Sequence, residues 1–117
     1  MGGFLTTHAL DTSRGTPAAN LKIDFFEYIN GRSNVICSLV TNADGRTDKP
    51  VLTETDFRFG SFELIFHVGD YFRQFEHRHG EHMFLDLVPV RFGMIENKHY
   101  HVPLLVSPFG YSTYRGS

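Results

Sequence analysis

The sequence contains no tryptophan and one cysteine, Cys37. A single cysteine excludes an intrachain disulfide. It lies in the apolar run SNVICSLV with no basic residue nearby to activate it, so it reads as a buried, inert thiol. No apolar run approaches the roughly twenty residues of a membrane-spanning helix. The opening MGGFLTTHALD lacks a basic region followed by an apolar stretch, so no secretory leader is read there, although processing can remove one. The closing RGS does not match the peroxisomal address. The expected compartment is therefore the cytoplasm, with periplasm or peroxisome open to a chain whose targeting segment has been removed. No excess of charge is present either: eleven Lys and Arg against thirteen Asp and Glu give a net charge of −2, with both signs interspersed. That excludes a nucleic-acid footprint, which needs a basic patch or stripe. A GxSxG elbow, a phosphate loop and a dinucleotide fingerprint are all missing, and no cofactor is expected.

What is present is apolar, aromatic and frequently punctuated. The 117 residues suit one domain spanning 1–117, long enough to bury a core. Aromatics make up 15%, twelve of them Phe, and there are seven His. Turn-forming clusters recur at TSRGTP, NGRSN, NADGRTDKP, RHGEH and SPFG. Between them lie short segments rich in β-branched and aromatic residues, the spacing of an all-β sandwich or barrel. FLTTHALD reads as a first strand, ended by the turn at Gly15 to Pro17. LKIDFFEYI alternates, with Leu21, Ile23 and Phe25 on one face and Lys22 and Asp24 on the other. NVICSLVT and RFGSFELIFHV read as strands on either side of a loop in which Asp44-Gly45 is a strong turn signal. DYFRQF suits a short helix with Asp70 as N-cap. In MFLDLVPVRF, Pro89 points to an edge strand or a bulge. HYHVPLLVS and GYSTYR complete a two-sheet β-sandwich of about eight strands and one short α-helix.

Some residues exceed what a sandwich needs. His8 lies inside the first strand. His99 and His101 flank Tyr100 and, in a strand, face the same way. Arg46 follows a tight turn. Each has an ordinary reading: a strand histidine is more often exposed or structurally bonded than catalytic, and an arginine after a turn is usually solvated. Spacing alone does not bring them together. EHRHGEH holds His77, His79 and His82 with Glu76 and Glu81, but it lacks the paired spacing of a metal site and contains a glycine. It reads as a solvated polar turn, and no metal is assigned.

Two stretches, HALDTSRGTPAANLKI and YHVPLLVSPFGYSTYRGS, are similar to the two signatures of the transthyretin family. The closing YRGS resembles the branch of that family that hydrolyses 5-hydroxyisourate. The resemblance runs through the whole chain, DGRTD and the short helix included. One departure is Ala9, where the family usually has a branched aliphatic, a change that touches packing more than function. The resemblance implies a prealbumin-like sandwich of two four-stranded sheets. It also implies a homotetramer, a dimer of dimers, with a central channel lined by the first and last strands. Carried over position by position, the site comprises His8, Arg46, His101 and the terminal Tyr114, Arg115, Gly116 and Ser117. No family role is carried over to His99.

The implied reaction is hydrolysis of the cyclic amide of 5-hydroxyisourate to 2-oxo-4-hydroxy-4-carboxy-5-ureidoimidazoline in urate catabolism. Water attacks a carbonyl, and negative charge builds on its oxygen. A neutral imidazole, His8 or His101, would serve as base. Arg46 would bind substrate and meet the oxyanion with its forked donors. Hydroxyls of Tyr114 or Ser117 would orient substrate or water, and Arg115 and Gly116 would line the site. Two rival readings stand beside this one. A small-molecule carrier of the same fold needs an apolar channel and no base. The resemblance implies lysine, glutamate and threonine at the positions of His8, Arg46 and His101 in the carrier branch, and no YRGS. A plain interaction sandwich with stray histidines needs no shared channel at all.

Overall fold

The computed structural model describes residues 2–75 and 82–116. Among them run β1 (Phe4–Asp11), β2 (Thr16–Pro17), β3 (Lys22–Ile29), β4 (Arg32–Val40), β5 (Gly60–His67), α1 (Val68–Arg73), β6 (Leu87–Met94), β7 (His99–Ser107) and β8 (Gly110–Thr113). They form two four-stranded sheets, ordered β2-β1-β7-β8 and β4-β3-β5-β6. Every pairing is antiparallel except β1 with β7, which run parallel with Thr6 opposite His101 and His8 opposite Pro103. This is the all-β, two-sheet architecture expected from the alternating segments.

Period-two alternation decides which side chains build the core. In β1, Leu5, Thr7, Ala9 and Asp11 are buried while Phe4, Thr6, His8 and Leu10 are only partly covered. In β7, Tyr100, Val102, Leu104 and Val106 turn inward. Facing them are Ile23 and Phe25 of β3 and Phe62, Leu64 and Phe66 of β5, all fully buried, with Phe25 and Phe62 stacked at 5.5 Å. Full burial of side chains this size stabilises by roughly 1.5–3 kcal/mol each. One inward position is a carboxylate, Asp11. It accepts hydrogen bonds from the Ser13 hydroxyl (2.6 Å), the Ser13 and Arg14 amides and the Tyr71 hydroxyl (2.8 Å). Burial and this carboxylate push the Tyr71 phenol well above its usual range. The end of β1 is thereby tied to the helix.

Some local expectations need correction. The helix begins at Val68, before Asp70, and His67 holds the N-cap position without a side-chain cap. Asp70 lies in the first turn instead and pairs with Arg73 at 2.7 Å. Val68, Tyr71 and Phe72 are drawn into the core, and that burial, not capping, sets the boundary. Cys37 is half-buried against the core, not sealed in it, and burial raises its thiol pKa. Pro89 does lie on an edge strand, β6, opposite Ile65. No described helix is long and apolar enough to cross a membrane.

Candidate active site

The half-covered positions of β1 and β7 share the outer face of their sheet. Because the two strands run parallel in the register Thr6 to His101, Thr6 and His8 on one strand lie beside His99 and His101 on the other. The Thr6 hydroxyl sits 2.7 Å from His101 Nδ1 and 2.7 Å from His99 Nε2. The His99 ring stacks flat on Phe4, with centroids 4.0 Å apart.

Arg46 reaches this face through its loop. The loop lies along the edge of β1 that β7 leaves free, and its backbone bridges His8 to Arg46 and Leu5 to Leu52. Asn42 shapes the turn: its Oδ1 accepts from the Asp44 amide (2.9 Å) and the Arg46 amide (3.2 Å), and its backbone amide donates to the Arg46 carbonyl (2.7 Å). Such side-chain mimicry of a turn is why asparagine opens loops of this kind. Gly45 is required here. Its φ is +74°, and a Cβ on it would lie 2.3 Å from the Ala9 carbonyl oxygen. The Gly45 carbonyl in turn accepts the Ala9 amide at 2.8 Å. Ala9 is fully buried beneath this contact.

The tail completes the face. The β8 ladder ends at Thr113, short of the expected GYSTYR strand. Its register resumes at Gly116, whose amide donates to the His101 carbonyl at 2.7 Å. Gly116 packs against the imidazole so closely that a Cβ would lie 2.7 Å from His101 Cδ2. Tyr114 is exposed. The Arg115 guanidinium does not join the cluster: it lies over the Tyr100 ring at 4.5 Å and 3.8 Å from Glu96. Ser117 lies outside the described residues, as does EHRHGEH apart from His82. Among the described residues no group of three or more His, Cys, Asp or Glu could hold a metal ion.

Electrostatics disfavour the charged form of both site imidazoles. Burial lowers the His8 pKa below its ordinary 6.5, and Arg46 lowers it further, against the opposing Asp44 carbonyl. Burial also lowers that of His101, reinforced by Arg46, His99 and His8. Taking a cation out of water and placing it beside other cations both disfavour the imidazolium. The two rings are not equivalent, however. His8 Nε2 lies 3.0 Å from the Asp44 carbonyl oxygen. A carbonyl only accepts, so this nitrogen carries the proton of neutral His8. His101 commits Nδ1 to Thr6 and leaves Nε2 free to meet a ligand. The face thus offers a neutral imidazole nitrogen, a second imidazole held by a carbonyl, and an exposed guanidinium: a base and a binder of oxygen. Thr6, His99 and Asn42 were not assigned a site role from sequence. The only sequence signal for the first two was their alternation in phase with His8 and His101.

The chain matches known proteins over nearly its whole length. The model of the HIUase/Transthyretin family matches residues 5–116. A 5-hydroxyisourate hydrolase of Mesorhizobium japonicum is 53% identical over 116 residues, 99% of this chain and 94% of that protein. The crystal structure of (S)-allantoin synthase superposes with a TM-score of 0.89 at 41% identity; the match covers 99% of this chain and only 44% of that one. Sea bream transthyretin in complex with thyroxine gives a TM-score of 0.84 at 28% identity, covering 96% and 93%. By family model, identity and fold alike, the chain belongs to the HIUase/transthyretin family.

Proposed function

We propose that this protein hydrolyses 5-hydroxyisourate, opening its cyclic amide to give 2-oxo-4-hydroxy-4-carboxy-5-ureidoimidazoline in urate degradation. The observation that carries the reading is the meeting of His8, Arg46 and His101 on one sheet face, with both imidazoles held neutral. The relative that is 53% identical bears this activity in its name. We assign the base role to His101 Nε2, which faces the ligand side while Nδ1 is held by Thr6; neutral His8 donates from Nε2 to the Asp44 carbonyl, and its bare Nδ1 is the alternative base. Water gives its proton to His101 Nε2 as its oxygen adds to the carbonyl carbon. The guanidinium of Arg46 meets the charge that develops on the carbonyl oxygen. The tetrahedral intermediate collapses, the carbon–nitrogen bond breaks, and the proton held by His101 passes to the departing ring nitrogen. His8 donates from Nε2 and holds the Asp44 turn against β1. Tyr114 and Ser117 supply hydroxyls to substrate or water.

The site is taken to work in a homotetramer, with this face lining a shared channel. Two features support that assembly. β6 and β8 are edge strands, which soluble proteins rarely leave bare. Phe84, Ile95 and Phe109 are exposed apolar side chains, between 73% and 79% accessible. Phe84 and Phe109 pack on each other at 5.9 Å, a ready-made apolar contact.

One sample tests both parts. Freshly generated 5-hydroxyisourate should lose its ultraviolet absorbance faster with the protein than without, and the active species should sediment as a tetramer. The rate should hold steady above pH 6.5 and fall as pH drops below it, because the lowered pKa values keep both imidazoles neutral at higher pH. Tight thyroxine binding without turnover would instead favour the carrier reading that the likeness to sea bream transthyretin suggests. A monomeric active species would remove the shared channel.

A further inference from the structure

Thr6 and His99 have no part in the chemistry above, yet they stand directly behind it. The Thr6 hydroxyl is 2.7 Å from an imidazole nitrogen on each side, His101 Nδ1 and His99 Nε2. A hydroxyl has one proton to give and lone pairs to receive with. It therefore cannot donate to both rings, and the protonation patterns of the two histidines are coupled through it. If Thr6 donates to His101 Nδ1, neutral His101 must carry its proton on Nε2. It then presents N–H to the ligand and cannot act as a base from that nitrogen. If Thr6 accepts from His101 Nδ1–H and donates to His99 Nε2, the lone pair of His101 lies on Nε2.

We infer that Thr6 and His99 are positioning residues that fix this second arrangement: His101 Nδ1–H donates to Thr6 Oγ1, Thr6 Oγ1–H donates to His99 Nε2, and His101 Nε2 is left bare. His99 suits the terminal place because its ring is clamped flat on Phe4, at 4.0 Å and an interplanar angle of 4°. A rotated His99 would lose either the stack or the hydroxyl. The other charged and titratable groups around the pair are the Arg46 cation, the neutral His8 ring, and two cations paired with a carboxylate. Arg46 and His8 face His101. Lys98 and Arg115 line one cavity with His99 and Gly116, and both pair with Glu96, at 3.3 and 3.8 Å. Among the described residues no carboxylate hydrogen-bonds or pairs with either ring, and the Thr6 hydroxyl is the group that links them. The inference rests on the hydrolase reading for its kinetic consequence, but not for its structural one.

Two measurements on the full chain test it. In histidine-¹⁵N-labelled protein near pH 8, above the titration of a free imidazole, His101 should show a protonated Nδ1 and a bare Nε2. Thr6→Val keeps the β-branched shape and removes the hydroxyl. It should abolish that preference and lower kcat about tenfold, the worth of one ordinary hydrogen bond, with KM within about twofold. Thr6→Ser should restore both readings, and His99→Phe should weaken both while retaining an aromatic ring over Phe4. A wild-type His101 with its proton on Nε2, or an unchanged kcat in Thr6→Val, would overturn the relay. A wild-type protein that leaves 5-hydroxyisourate unopened would sink the hydrolase reading alone, and the tautomer spectrum would still decide the relay.

Discussion

His101→Asn is expected to lower turnover of 5-hydroxyisourate by roughly 10²–10⁴-fold, the contribution of a well-placed general base. Asparagine keeps a polar group near Thr6, and its backbone can still receive the Gly116 amide. The strand, the tail and the fold should therefore persist while the titrating nitrogen is lost. The pH profile offers a second reading. Wild type should lose rate below pH 6.5 as His101 takes on a proton against the burial and the Arg46 charge that oppose it. The variant should lack that limb. Initial rates by absorbance across pH would decide, and a variant with full rate and an unchanged limb would move the base role to His8.

Gly116→Ala should be nearly as damaging, through geometry alone. The added carbon would fall 2.7 Å from His101 Cδ2 and 3.1 Å from its Cβ. Either the ring or the tail must give way, and the 2.7 Å hydrogen bond from the Gly116 amide to the His101 carbonyl holds the tail in place. A displacement of about 1 Å at a reacting group costs on the order of 100-fold in rate. Global stability should change by no more than about 0.5 kcal/mol, because the tail covers little of the core. Steady-state rates beside a urea melt would check both halves. Full activity would mean the glycine only ends a strand, and a large loss of stability would mean that it anchors one.

The sequence was most legible where burial alone decides. Alternation in LKIDFFEYI grouped Leu21, Ile23 and Phe25 on one face, and all three are buried, since a one-residue slip would turn the strand inside out; in HYHVPLLVS it put His99 and His101 on the same side. It was less legible at the helix, where burial of Val68, Tyr71 and Phe72 overrode the capping signal of Asp70. The meeting of His8 with His101 was beyond local pattern, because it depends on a parallel pairing that no hairpin announces. Arg46 was similar: the Asp44-Gly45 turn was visible, but not the edge of β1 on which it lands. Family signatures supplied those residues because they encode a shared tertiary arrangement. They were silent on Thr6 and His99, whose part appears only once a hydroxyl is seen between two rings.

That parallel pairing also sets an order in time. Thr6 and His101 are separated by 95 positions, so a ribosome adding about 5–20 residues per second needs roughly 5–20 seconds to deliver the second after the first. The sheet β4-β3-β5-β6 draws on residues 22–94 and is complete in sequence before β7 has been made. The sheet that bears the histidines must hold β1 unmatched along one side until the last strands emerge. The working face is thus the youngest part of each newly made molecule, and the remainder serves as the template on which it closes.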